Sequence, residues 1–182
     1  NRRKAYNMRK LINLILDKDN FFEMSKMYGS SLITGLGRIN GYSVAVLAND
    51  CMYYAGAMTS DASHKLRRFI DFVNTFNIPV LSFVDEPGFM IGPDSEKAGT
   101  IRHGTAAISS VMQSIVPWAS VIVRKLYGVA GAAHFAPDGY VLSWPSAESG
   151  ALPVEGGVAI AFKKEIENAD NPEEKRKELE EL

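Results

Sequence analysis

Two short apolar segments, each opened by a proline and each followed by a glycine-rich loop, constrain the fold of this chain most strongly. They cover residues 79–84 and residues 117–123. Segments of this length and composition are typical of strands buried on both faces of a sheet. An amphipathic helical pattern beginning near Thr100 lies between them, with apolar positions at Ile101, Ile108, Val111, Met112 and Ile115. Alternation of buried strands with amphipathic helices predicts an α/β fold with largely parallel strand pairing.

The sequence before these segments predicts a helix and a hairpin. Met8, Leu11, Ile12 and Ile15 follow helical spacing. Residues 32–39 and 42–48 are strand candidates, and the Asn40-Gly41 pair between them is a strong signal for a tight hairpin turn.

Three further helices and one strand are predicted. Ser60 or Asp61 can cap a helix that ends at Asn77. Its apolar positions are Leu66, Phe69, Ile70, Val73 and Phe76. A strand candidate covers residues 140–144, a glycine-rich helix start follows at residues 155–157, and residues 171–182 predict a solvated tail helix.

Composition excludes several classes of protein. The chain has 182 residues, and its 20 basic and 21 acidic side chains give a net charge of −1, so nothing favours a nucleic-acid partner. The one cysteine, Cys51, is predicted to be a packing residue, and three scattered histidines predict no metal site. No apolar run approaches the length of a membrane span. The chain starts at Asn1 without a methionine, so we expect it to lie inside a longer protein.

The loop after the second buried segment is the first candidate for chemistry. Beyond the carboxyl end of a strand in an α/β sheet, backbone N–H groups can bind a ligand. The N–H groups of Val129 and Ala130, just after Gly128, could stabilise an oxyanion without a catalytic side chain. The pattern alone favours a plain glycine turn.

Side chains offer weaker candidates. His103 could act as an acid or base and Arg102 as a carboxylate anchor, although two polar residues in the first turn of a helix are the commoner interpretation. The adjacent carboxylates of Asp85 and Glu86 are expected to be a loop cap and an exposed side chain. His64 and His134 have no evident partner.

Five motifs in family order resemble the C-terminal carboxyltransferase domain (β subunit) of biotin-dependent acyl-CoA carboxylases. They are residues 37–49, 76–89, 101–104, 123–128 and 144–148. The resemblance implies a crotonase-like fold of ββα units wound into a superhelix. It also implies that residues 1–182 form a single C-terminal domain of a two-domain subunit, with its core at about 21–162 and its tail helix at about 171–182.

The resemblance implies an enzyme that transfers a carboxyl group from carboxybiotin to the α-carbon of an acetyl- or propionyl-type acyl-CoA. The implied partners are the N-terminal carboxyltransferase domain, a biotin carboxyl carrier with its biotin carboxylase, and further subunits in a trimer of dimers. The implied location is the cytoplasm, or the mitochondrial matrix in a eukaryote.

The resemblance also assigns roles to residues. The N–H groups of Val129 and Ala130, with Gly128, would form the oxyanion hole for biotin. The residues near the cofactor would be Tyr127, Gly131, Gly88 and Phe89, and those near the coenzyme A thioester Ala132, Arg102 and His103.

The sequence departs from the family pattern at three places, and the change at Ala132 leaves the substrate open. Val129 stands where many members have glycine, Ala132 stands where they have an aspartate that influences acyl-chain choice, and Leu152-Pro153 replaces Met-Gly. The alternatives are the carboxyltransferase subunit of a biotin-dependent decarboxylase, a crotonase-type hydratase or thioesterase, and a docking module for the biotin carrier. A hydratase needs a positioned carboxylate, and the candidates are Asp85, Glu86 and Glu148.

Overall fold

The computed structural model describes residues 4–169 and 171–180. The chain divides into two compact units, Asn1–Glu148 and Ser149–Leu182. The helices are α1 (Met8–Ile15), α2 (Ser60–Thr75), α3 (Pro93–Lys97), α4 (Thr100–Met112), α5 (Val154–Ala161), α6 (Lys163–Glu167) and α7 (Pro172–Glu180). The strands are β1 (Phe22–Met24), β2 (Leu32–Ile39), β3 (Tyr42–Asn49), β4 (Val80–Glu86), β5 (Trp118–Tyr127), β6 (Tyr140–Ser143) and β7 (Glu148–Gly150). Short 3₁₀ helices cover Tyr54–Gly56 and Val129–His134.

The strands β1 to β6 lie side by side in chain order. β1, β2 and β3 are antiparallel, and Asn40 and Gly41 in the β2–β3 turn both have positive φ, so the predicted hairpin is confirmed. From β3 to β6 each pair is parallel, which confirms the predicted parallel pairing. The carboxyl ends of β3, β4 and β5 therefore lie along one edge of the sheet.

Helices cover both faces of this sheet. On one face α2 and α4 bury apolar side chains such as Leu66, Ile70 and Val111 against the strands. On the other face α1 buries Met8 and Ile12, neither with exposed surface, in a cluster with Phe83. The helix predicted from the spacing at Met8 is therefore confirmed, and it contributes to the core.

Some details of the sequence prediction are wrong. The residue that caps α2 is Thr59, whose hydroxyl accepts from the N–H of Ala62. The predicted apolar side of α4 is wrong at three of its five positions: Ile101 and Met112 are exposed, and Ile115 is exposed beyond the end of the helix. The small residues Gly104 and Ala107 face inward instead. Small side chains let α4 approach its neighbours closely, a feature that hydrophobic spacing does not reveal.

The described residues of the second unit include the helices α5, α6 and α7. Pro153, from the Leu-Pro pair noted above, directly precedes α5. The predicted tail helix is observed as α7, although residues 181–182 lie outside the described part of the chain. Hydrogen bonds to Glu165 on α6 and to Glu178 raise the pKa of Lys175. Among the described residues, no helix is long and apolar enough to cross a membrane.

A buried lysine on α2 gives the fold a measurable pH dependence. Lys65 is 4% exposed, and its ammonium donates to the carbonyl oxygen of Leu32 at 2.6 Å. Burial disfavours the charged form and lowers the pKa of Lys65 to about 8. In the unfolded chain the amine keeps its proton up to the ordinary pKa, about 10.4.

We expect stability to rise with pH between about 8 and 10.5 because of Lys65. In that window the unfolded state holds one more proton than the folded state, so raising the pH favours folding by up to about 3 kcal/mol. Lys65→Met removes this contribution. The difference in thermal midpoint between the parent subunit and this variant, followed from pH 7 to pH 10.5, measures it, and a difference that does not change with pH would contradict the expectation.

Candidate active site

Three loops meet at the carboxyl edge of the sheet. They follow β3, β4 and β5, and they cover residues 50–59, 87–92 and 128–139. The loop after β3 contains Tyr54 and Ala55, two consecutive non-glycine residues with positive φ. Such backbone strain is common at functional sites.

The loop after β5 presents two backbone donors. Gly128 has φ 65° and ψ −167°, a left-handed conformation that suits glycine, and it turns the chain into the 3₁₀ helix. The N–H groups of Val129 and Ala130 come first in that helix, so no preceding turn accepts their hydrogen bonds. No backbone acceptor is recorded for either group among the described residues. The φ of Val129 is not positive, so its β-branched side chain is compatible with the backbone at this position.

The side chains on this helix differ in exposure. Val129 is 74% exposed, whereas Ala130 has no exposed surface. Gly131 is buried, and a Cβ built on it would lie 2.4 Å from a methyl carbon of Leu126. Ala132 is half-buried. The helix therefore packs closely on the end of β5, with Val129 at the surface and Ala130 buried.

The loop after β4 lies beside the first loop. Gly88 has φ 123°, and its carbonyl oxygen accepts from the N–H of Met58. A Cβ built on Gly88 would lie 3.9 Å from the carbonyl oxygen of Tyr127, the last residue of β5. The loop after β4 is therefore also a neighbour of the loop after β5. The ring of Phe89 packs on Gly104 of α4, where an added Cβ would come within 2.2 Å of it.

The first turn of α4 carries Arg102 and His103. Arg102 is exposed and His103 is half-buried. The ring of His103 lies 4.0 Å from that of His64, centroid to centroid, so the prediction that His64 has no partner is wrong. Desolvation lowers the pKa of His103, and the charges of the nearby His64 and Arg102 lower it further.

Asp85 is a structural carboxylate at the end of β4. It has no exposed surface, and it accepts from the guanidinium of Arg124, at 2.8 Å for the shortest contact, and from the N–H of Lys125. The same guanidinium lies over the ring of Tyr6 and donates to the carbonyl oxygen of Lys4. Burial is the largest single effect on Arg124 and opposes its charge, but the hydrogen bonds to Asp85 and the charge attraction of Asp85 together exceed it and raise the pKa of Arg124.

Glu86 is also buried, with no exposed surface, so the expectation of an exposed side chain in a loop is wrong. β4 extends two residues further than predicted and carries Glu86 beneath the loops. Its carboxylate accepts from the side-chain amide of Asn49 and from the N–H of Gly88, both at 2.9 Å. It also lies 3.5 Å from Nε2 of His134.

His134 therefore has partners, contrary to the prediction from sequence. Its Nδ1 lies 3.0 Å from the hydroxyl of Ser82. Ser82, His134 and Glu86 together have the composition of a hydrolase triad, but none has exposed surface. A nucleophile must reach its substrate, so this burial argues against hydrolysis. Sequence reasoning missed the group because its members lie up to 52 residues apart.

Glu148 is the last of the candidate carboxylates. Its side chain accepts from the hydroxyl of Tyr127 at 2.9 Å. The side chains of Asp85, Glu86 and Glu148 are thus all engaged within the protein. Among the described residues, no group of three or more potential ligands could hold a metal ion.

Comparison with known protein families identifies the family of this chain, because the sequence model of the carboxyl transferase domain family matches residues 1–182. The chain belongs to this family. The family named from the five motifs is confirmed, and so is the crotonase-like α/β fold. The chain is similar to transcarboxylase 12S, whose solved structure is a hexamer assembly with methylmalonyl-coenzyme A and methylmalonic acid bound. The two sequences are 35% identical, and the structures superpose over all of this chain with a TM-score of 0.89.

Two curated relatives show the range of activities among similar proteins. One is the carboxyltransferase subunit of a propionyl-CoA carboxylase from Haloferax mediterranei, with 39% identity over 97% of this chain. Another is the methylmalonyl-CoA decarboxylase subunit alpha from Propionigenium modestum, with 38% identity over 94% of this chain. The chain spans about a third of these relatives, 35% and 34% of their lengths.

We expect Arg124→Met to destabilise the protein by about 3–5 kcal/mol, because it leaves the buried carboxylate of Asp85 without its counterion. The double variant Asp85→Leu with Arg124→Met should recover part of this loss, since it removes both charges. Denaturant unfolding of the complete subunit measures both effects. A loss under 1 kcal/mol for the single variant would show that the ion pair is dispensable.

Proposed function

We propose that this chain supplies the biotin half of a carboxyltransferase active site in a two-domain subunit, as the C-terminal domain covering residues 1–182. The activity is transfer of a carboxyl group from carboxybiotin to the α-carbon of an acyl-CoA of acetyl or propionyl type. The observation that carries the proposal is the pair of adjacent backbone donors at Val129 and Ala130 at the carboxyl edge of the sheet, neither of which has a backbone acceptor in the described part of the chain.

These donors fit the carbonyl oxygen of a biotin ureido ring. Backbone N–H groups aimed at an oxygen that gains negative charge stabilise the transition state without a titrating side chain. Carboxybiotin, when bound, supplies the activated carboxyl group. Val129 and Ala130 hold the ureido oxygen, and Gly128 fixes their direction through its left-handed conformation.

Neighbouring residues complete the proposed site. Tyr127 and Gly131 flank the donors in sequence, Gly88 lies near the carbonyl oxygen of Tyr127, and Phe89 follows Gly88. We assign these four residues to the biotin side of the site. On α4, Arg102 is an exposed cation in the first turn, and we assign it to an anionic part of coenzyme A. We assign His103 and Ala132 to the coenzyme A thioester side of the same site.

The engaged carboxylates favour this proposal over a crotonase-type hydratase. A hydratase needs a carboxylate that can exchange protons with substrate and water. Asp85 and Glu86 have no exposed surface, and Glu148 is bonded to Tyr127. A carboxyltransferase of the proposed kind needs no such side chain, since the reactive group comes with the cofactor.

The proposal includes partners and a second direction of reaction. A biotin carrier must deliver the cofactor, and an N-terminal carboxyltransferase domain must hold the acyl-CoA. The hexamer assembly of transcarboxylase 12S supports a trimer of dimers. The similarity to a methylmalonyl-CoA decarboxylase subunit supports decarboxylation as the alternative direction. We assign the protein to the cytoplasm, or to the mitochondrial matrix in a eukaryote.

Turnover of carboxylated acyl-CoA by the complete subunit tests the proposed function. Free biotin would be added with malonyl-, methylmalonyl-, ethylmalonyl- or glutaconyl-CoA in turn, and the decarboxylated CoA product would be followed. Biotin-dependent loss of CO₂ from one of them is the expected result and identifies the acyl group. Loss that does not depend on biotin, or no loss from any of them, would count against the proposal. Net carboxylation with ATP and the biotinylated partners would separate a carboxylase from a decarboxylase.

We expect Val129→Pro to lower kcat for this biotin-dependent reaction on the order of 10²- to 10³-fold, because it deletes one oxyanion donor. Proline is tolerated at the first position of a helix, and the ψ of −167° at Gly128 is compatible with a following proline. Val129→Ala is the matched control, since it shortens the side chain and keeps the N–H. Equal kcat for the two variants would show that the Val129 N–H does not act in the reaction.

A further inference from the structure

The buried carboxylate of Glu86 joins all three loops of the proposed site. Asn49, at the end of β3, donates to Glu86 and also to the carbonyl oxygen of Gly56, while its own oxygen accepts from the N–H of Asp85. The N–H of Gly88 fixes the loop after β4 to the same carboxylate. Nε2 of His134 approaches from the loop after β5.

His134 is the last residue of the 3₁₀ helix that begins with Val129 and Ala130. Its backbone carbonyl accepts from the indole of Trp118 at 2.8 Å and from the hydroxyl of Ser120 at 2.6 Å. Its ring lies between Ser82 and Glu86, and Nε2 has no hydrogen bond although it is fully buried. A buried nitrogen 3.5 Å from a carboxylate is close to, but outside, a normal hydrogen bond.

We propose that Glu86 and His134 are positioning residues that align the Val129 and Ala130 donors with the Gly88 loop. The proposal rests on the proposed function above. The helix has six residues, so a change at His134 is transmitted directly to the donors at its start. Hydrogen bonds near reacting groups are often long without substrate and tighten in the bound complex, and the His134–Glu86 contact is placed to do so.

The alternative is a structural role alone, in which the buried polar group stabilises the fold and leaves the donors unaffected. The two roles differ in what a substitution changes. Loss of a purely structural contact lowers the thermal midpoint and leaves the kcat of the folded enzyme intact. Loss of a positioning contact lowers kcat with biotin and leaves KM for acyl-CoA unchanged, because a misaligned donor acts in the transition state.

A double-mutant cycle between Glu86→Gln and Val129→Pro in the complete subunit tests the proposal, with free biotin and the carboxylated acyl-CoA as substrates. In the Val129→Ala background, we expect Glu86→Gln to lower kcat on the order of 10- to 100-fold with little change in KM for acyl-CoA. In the Val129→Pro background, the same substitution should have a much smaller effect, because the donor on which it acts is already absent.

The outcomes of the cycle separate this inference from the proposed function. No biotin-dependent turnover by the unsubstituted subunit would overturn the proposed function, and equal kcat for Val129→Pro and Val129→Ala would overturn the role of the Val129 N–H and the positioning role with it. The remaining case is a large effect of Val129→Pro while Glu86→Gln lowers kcat by the same factor in both backgrounds, or does not lower it at all. Either result would overturn the positioning role and leave the proposed function standing.

Two further variants keep the test valid if Glu86→Gln does not fold. His134→Gln retains a donor toward Glu86, whereas His134→Leu removes it. We expect His134→Leu to lower kcat and His134→Gln to retain more of it, and equal kcat in these two variants would contradict the proposal. Thr34→Val is the control, because it removes a part-buried hydrogen bond from the Thr34 hydroxyl to the carbonyl oxygen of Met24 in the β1–β2 pair. It should lower the thermal midpoint without lowering kcat.

Discussion

Parallel pairing of β3, β4 and β5 is the constraint on which the rest of the site depends. In a parallel sheet the carboxyl ends of neighbouring strands meet at one edge, so three loops that are far apart in sequence become neighbours. At that edge Gly128, with a positive φ, turns the backbone into a short helix whose first N–H groups, those of Val129 and Ala130, have no backbone acceptor among the described residues. The proposed site therefore depends on where the backbone N–H groups point, and less on any reactive side chain.

Two carboxylates are buried beneath the loops, at positions where apolar side chains would carry no desolvation cost. Asp85 and Glu86 are adjacent in sequence and both fully buried, yet they point to different partners, as expected for successive residues of a strand. Asp85 joins β4 to Arg124 on β5, and Glu86 joins the loops themselves. Buried carboxylates are costly to desolvate, so each requires several donors, and those donors fix the relative positions of the elements that carry them.

The fold could be predicted largely from the sequence, whereas the contacts of the site could not. Hydrophobic spacing and the Asn40-Gly41 turn predict the helix at Met8, the β2–β3 hairpin and the parallel strands, because these features depend on local chemistry. The loop at Gly128 was also predicted from its glycine and its position after a strand. The pairing of Glu86 with His134 was missed, since it depends on how strands far apart in the chain register against each other. Spacing also predicted Ile101 as a buried side chain, but small residues determine which face of α4 approaches the sheet.

The most direct test of the central claim is a crystal structure of the complete subunit with biotin bound, in which the distances from the ureido oxygen to the backbone nitrogens of Val129 and Ala130 are measured. The account predicts both distances within about 2.7–3.1 Å, the range of an oxyanion hole. Biotin bound elsewhere, or oriented with its ureido oxygen away from these two nitrogens, would contradict it.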